Sequence, residues 1–124
     1  MKPTLPTDTF NVAVLKQTAN GDSQFFNMMI ENFTMNAKAL VEVFESGLSQ
    51  KDWIEIGEKA HKAIPSFKFF KFNAISSSLA EIEDLALRKK KYEYLPDIIS
   101  KTKTAILAII KQSEAAKIVD SENE

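Results

Sequence analysis

Turn-forming residues are scarce in this chain. Three glycines and four prolines in 124 residues leave little material for the tight turns that join neighbouring strands. Apolar residues do not alternate with polar ones, as a half-buried strand requires. They recur at steps of three and four, the period of an amphipathic helix. An all-α chain is therefore expected. Its length suits one domain with one core. No period of 20 to 50 residues repeats, which excludes a solenoid.

The helices can be placed from their stripes and caps. Pro3 and Pro6 mark an extended lead-in over residues 1–8. Asp8 or Thr9 can cap a short first helix carrying Phe10, Val14 and Leu15. Asn20-Gly21-Asp22 is a stop and restart, with Gly21 suited to a left-handed position and Asp22 or Ser23 to the next cap. A long helix from about Ser23 to Glu45 buries Phe26, Met29, Phe33, Ala37, Leu40 and Phe44. Phe25, Met28 and Ile30 lie off that stripe, either under the short first helix or free as a partner surface. Ser46 to Gln50, with Gly47, is expected to be a turn, and Ser49 or Asp52 a cap. The next helix runs from about Asp52 to Phe70. Asn73 is expected to cap a fourth segment, about Ala74 to Arg88, with Ile75, Leu79, Ile82 and Leu85 inward. Arg88 to Lys91 reads as a solvated helix end favoured by the dipole. The last helix starts near Tyr92 to Pro96 and runs to about Ile118. Residues 119–124 are expected to be a flexible acidic tail. The expected architecture is an antiparallel up-down four-helix bundle with a short extra N-terminal helix, over residues 9–118.

Composition narrows the chemistry. The chain has no cysteine and a single histidine, so thiolate chemistry is absent and a zinc site is not expected. A net charge of −1 gives no general attraction to nucleic acid or acidic membranes. No apolar run has the length of a transmembrane helix. The opening Met-Lys-Pro-Thr-Leu-Pro lacks the apolar core of a signal peptide. A cytoplasmic monomer with no nucleic-acid or membrane partner is the expectation.

The lone histidine, His61, is unusually placed. Trp53, Ile56, Ala60, Ala63, Phe67 and Phe70 form the buried stripe of its helix. His61 is about 100° around from Ala60, on a second line with Ile54, Gly57, Ile64 and Lys68. Its ring is thus expected at the flank of the core, open to solvent. Gly57 and Pro65 sit one turn either side of it. Each is a poor helix former, by roughly 1 and 3 kcal/mol relative to alanine, and together they are expected to lower the rim around the imidazole. Pro65 also leaves the His61 carbonyl without its usual partner, so a kink is expected there.

The run His61-Lys62-Ala63-Ile64-Pro65-Ser66 resembles the histidine-containing phosphotransfer domain of multistep phosphorelays. That family carries His-x-Leu-Lys-Gly-Ser on an exposed face of a four-helix bundle, and a subset has Pro-Ser-Phe, as in Pro65-Ser66-Phe67. Lys51-Asp52-Trp53 resembles the family's Gly-Asp-Trp, and a glutamate-bearing helix (Leu79-Ala-Glu81-Ile-Glu83) follows the histidine helix. The resemblance spans about Phe10 to Ile110. It implies a phosphocarrier and not an enzyme. His61 would accept a phosphoryl group, through Nε2, from a receiver-domain aspartate and pass it to another receiver. The partners implied are response-regulator receivers and a hybrid sensor histidine kinase. The chain itself needs no cofactor, and Mg²⁺ belongs to the receiver. Ile54, Gly57, Glu58, Ile64 and Pro65 would form the docking ring.

The pattern departs from the family at Ile64, where a phosphate-stabilising lysine is usual. Lys68, Lys62 and Ser66 are the candidates to replace it, Lys68 first because it shares the His61 line. Lys71 occupies a loop position where the family often has glycine. Two other readings stay open: a degenerate adaptor that binds a receiver without transfer, and a structural helical module pairing through Phe25, Met28 and Ile30. For an enzyme, His61 is a lone acid–base group with nothing evident to pair with it.

Overall fold

The computed structural model describes residues 8–89 and 91–122. Among them are five α-helices and no strand: α1 Val12–Ala19, α2 Ser23–Gln50, α3 Trp53–Phe69, α4 Asn73–Asp84 and α5 Leu95–Glu122. A π-helical turn, Leu85–Lys89, extends α4, and a 3₁₀ turn, Tyr92–Tyr94, precedes α5. Helix α2 packs on α3 and α5, and α4 packs on the same two helices, while α1 lies against α2. No helix among the described residues is long and apolar enough to cross a membrane.

The stripes read from sequence form one core. Phe26, Phe33, Ala37, Leu40 and Phe44 of α2, Ile56, Ala60 and Phe67 of α3, and Ile75, Leu79 and Ile82 of α4 are all buried. Its densest part is aromatic. The Phe33 ring has its centroid 5.2 Å from Phe67, 4.7 Å from Phe70 and 5.5 Å from Phe72. Ile30 is buried too, whereas Phe25 and Met28 stay exposed, so the three do not form one surface patch. Two buried hydroxyls in the core satisfy each other. Ser113 Oγ donates to the Ile110 carbonyl at 2.8 Å, which leaves Thr34 Oγ1 as the donor in their 2.7 Å bond.

The joints differ from expectation in instructive ways. Helix α2 does not stop near Glu45. It runs through Gly47 to Gln50, and Lys51 takes the left-handed turn with φ of 55°. Gly47 is a packing glycine: a Cβ there would lie 2.4 Å from Ile56 Cγ1. Asp52 then caps α3, accepting from the Glu55 N–H at 3.2 Å. Pro65 neither ends nor interrupts the assigned span of α3, which continues to Phe69. At the far end, α5 passes the expected stop at Ile118 and stays helical to Glu122. The expected tail over residues 119–122 is therefore helix, and 123–124 lie outside the described residues.

The largest revision concerns the segment before α1. Asn11, not Asp8 or Thr9, caps α1. Asp8 reaches instead to α4, where its carboxylate accepts from the N–H groups of Ala74 at 3.3 Å and Ile75 at 2.8 Å. Asn73 is the first residue of α4 and not its cap. Phe10 follows as a buried ring 6.0 Å from Phe72, and its N–H donates to Gln112 Oε1 at 2.8 Å. Residues 8–10 thus form a strap across the start of α4 and the middle of α5. The expected lead-in over residues 1–7 lies outside the described residues. Asp8→Ala removes both cap bonds and a favourable charge at a helix N-terminus. It should lower stability by about 1 kcal/mol, read as a fall in the urea midpoint; an unchanged midpoint would show that the strap holds through Phe10 alone.

Candidate functional site

Helix α3 presents His61 as its periodicity requires. Ala60 is fully buried, and the histidine one residue on emerges with 66% of its side chain exposed. Its Nδ1 lies 3.0 Å from Glu83 Oε1, and the Glu83 side chain is only 9% exposed. An ionised carboxylate can only accept, so Nδ1 carries the proton in this pair. In the neutral ring the lone pair is then on Nε2, for which no hydrogen-bond partner stands among the described residues. The arrangement is an exposed imidazole held through Nδ1 by a nearly buried carboxylate, with Nε2 as its other nitrogen.

Glu83 is the residue that sequence reasoning missed. It comes from the end of α4, one position beyond Ile82 and four beyond Leu79. A carboxylate within the reach of a buried stripe needs a partner to be tolerated there, and that was the available signal. The second oxygen has one as well. Glu83 Oε2 is 3.3 Å from an Arg88 terminal nitrogen, and the other terminal nitrogen of Arg88 is 3.9 Å from Asp84 Oδ1. Arg88 is therefore part of this cluster, where a solvated helix end was expected. His61 also has the pairing carboxylate that the sequence did not disclose.

The remaining predicted residues divide. Gly57 is buried and cannot belong to a docking surface. A Cβ there would lie 2.7 Å from Leu87 Cγ and 3.0 Å from Ala86 Cβ. Its glycine admits the π-helical turn onto α3, one helical turn before His61, and does not lower a rim. Ile54 is 57% exposed, Glu58 and Pro65 are exposed, and Ile64 is half-buried against the core. Lys68 is exposed in the last turn of α3. Lys62 and Ser66 turn away from the His61 line. They line a groove of about 280 Å³ between α2 and α3, together with Phe33, Leu40, Lys59 and Phe67. Neither is brought towards His61, so the structure does not support them as phosphate-stabilising groups.

No family model, curated protein or solved structure matches this chain.

Proposed function

We propose that this protein is a phosphorelay intermediate in which His61 carries the phosphoryl group between receiver domains. The observation that carries the reading is the exposed His61 ring held at Nδ1 by the buried Glu83 carboxylate. The Nε2 lone pair attacks the phosphorus of an aspartyl phosphate on a receiver. An N–P bond forms, the O–P bond breaks, and the aspartate leaves as a free carboxylate. The ring becomes cationic because Nδ1 keeps its proton, and Glu83 faces that new charge. Transfer of this type depends on positioning and charge stabilisation more than on covalent work by the carrier. The receiver would contribute the aspartate and its Mg²⁺.

Two backbone details support the reading. Lys51 and Lys71 stand where the resembled family has glycine, and both adopt left-handed conformations, with φ of 55° and 66°. Glycine is the residue that takes such conformations without steric cost. The fold that goes with this function is an antiparallel up-down four-helix bundle of α2 to α5, with α1 as the extra helix. The neighbour relations of α2, α3, α4 and α5 fit it. Ile54, Glu58, Ile64 and Pro65 would receive the partner around the histidine, with Lys68 further along the same face, in a cytoplasmic signalling setting.

The test is transfer of label from a phosphorylated receiver or hybrid kinase of the same organism. The wild-type chain should take up acid-labile, base-stable label, and His61→Gln should take up none. Equal labelling of both forms would refute the assignment of His61. Binding of a receiver by both forms without any label would establish the adaptor reading in its place, which the half-buried Ile64 would then explain as docking surface.

A further inference from the structure

The His61 face lacks the lysine that a phosphocarrier of this type would have at position 64. Ile64 is packed against the core instead, Lys62 lines the groove on the other side of α3, and Lys68 is two turns further along. Among the described residues one cation reaches the histidine cluster, and it comes from the neighbouring element. Arg88 lies 3.3 Å from the same carboxylate that holds His61 Nδ1.

Its delivery depends on the π-helical turn. Residues five apart in an α-helix point about 140° away from each other. Glu83 and Arg88 are five apart and paired. Over Leu85–Lys89 the helix is of the π type, whose i→i+5 bonding brings such residues to one side. The same turn seats Leu87 on Gly57, in space that a single Cβ would fill. Gly57, the π turn and Arg88 thus act as one device directed at the flank of His61. The Arg88 side chain at its end is 66% exposed. An arginine's planar fork matches phosphate oxygens with two parallel hydrogen bonds.

We propose that Arg88 binds the phosphoryl group carried by His61, taking the part of the absent lysine. In the unphosphorylated chain its guanidinium rests on Glu83 Oε2. When Nε2 is phosphorylated it turns to donate to the phosphoryl oxygens, while Glu83 keeps its bond to Nδ1. This inference rests on His61 being a phosphocarrier, but its test does not require a receiver.

Phosphoramidate phosphorylates imidazole directly: the N–P bond to Nε2 forms, the donor's own P–N bond breaks, and ammonia leaves. The chain has one histidine, so label reports that site alone. Arg88→Ala should slow labelling by about ten- to hundredfold, the size of one hydrogen bond to a charged group. Arg88→Lys should retain most of the rate, and adding Ile64→Lys to Arg88→Ala should restore it. The Arg88 side-chain N–H resonances of the wild type should shift on phosphorylation. The ¹⁵N signals of the unphosphorylated His61 ring should be the same in Arg88→Ala and wild type. Labelling of Arg88→Ala at the wild-type rate would overturn the proposal. So would a loss that Ile64→Lys does not restore and that comes with altered ring signals, because Arg88 would then only position Glu83. If Arg88 behaves as proposed and no receiver exchanges phosphate with His61, the relay reading fails while phosphoryl binding by Arg88 stands.

Discussion

Under the relay function proposed for His61, Glu83→Gln should slow phosphoryl acceptance by about 10²- to 10⁴-fold, the range lost when a catalytic imidazole is put in the wrong tautomer or loses its proton-transfer partner. The carboxylate has only acceptor oxygens for Nδ1–H and Arg88. A glutamine amide of the same shape has donors too. Turned towards Nδ1, its N–H group makes that nitrogen the acceptor and moves the ring proton to Nε2, where it occupies the lone pair needed for attack. The amide also offers no charge to the ring cation formed on transfer. Glu83→Leu should lose the activity as well, with little effect on the fold. Removing one partner of an ion pair is costly when the other charge stays buried, but His61 and Arg88 are both 66% exposed and water can solvate them, so the urea midpoint of Glu83→Leu should change little while transfer falls. Single-turnover labelling, with ¹⁵N signals of the ring to read the tautomer, checks both. Wild-type rates in Glu83→Gln would show that the carboxylate only packs beside the ring.

Phe33→Ala should cost about 3–5 kcal/mol of stability, a large share of the roughly 5–15 kcal/mol available to a domain of this kind. The ring is 2% exposed and stands between Phe67, Phe70 and Phe72. Truncation removes its buried surface and three ring contacts together. The three neighbours belong to the end of α3, its cap and the joint to α4, and fixed backbone limits how far they can close the gap. Phe33→Leu should cost clearly less, because it returns most of the volume. Denaturant midpoints of the two variants provide the comparison. Similar losses in both would mean that ring geometry, and not filled volume, holds this end together.

Much of this was legible because it follows from local rules. The stripes of α2, α3 and α4 gave the core, Asn20-Gly21-Asp22 and Asp52 gave the caps, and the offset of His61 from Ala60 gave its exposure. What stayed hidden depended on contacts between segments. Gly47 and Gly57 look like turn or rim residues until Ile56 and Leu87 are seen against them. Asp8 is an ordinary cap candidate for the helix beside it, yet serves one 66 residues away. The pairing of Glu83 with Arg88 defeats a pattern search for another reason. Helical pairs are sought three or four residues apart, and a spacing of five becomes productive only in a π turn. Lys62 and Ser66 were candidates because they adjoin His61 in the motif. Helix geometry turns them about 100° and about 140° away from His61.

The strap at residues 8–10 also has a kinetic meaning. The bond from Phe10 to Gln112 closes a span of 102 residues, and Asp8 has no helix end to hold until α4 exists. Contacts of such long range are formed late, since the entropy of closing the loop is lost before they return any stability. A ribosome therefore makes the strap early and the fold uses it last. Helix α4, which supplies Glu83 to His61, takes from that clasp the acceptors for two N–H groups of its first turn.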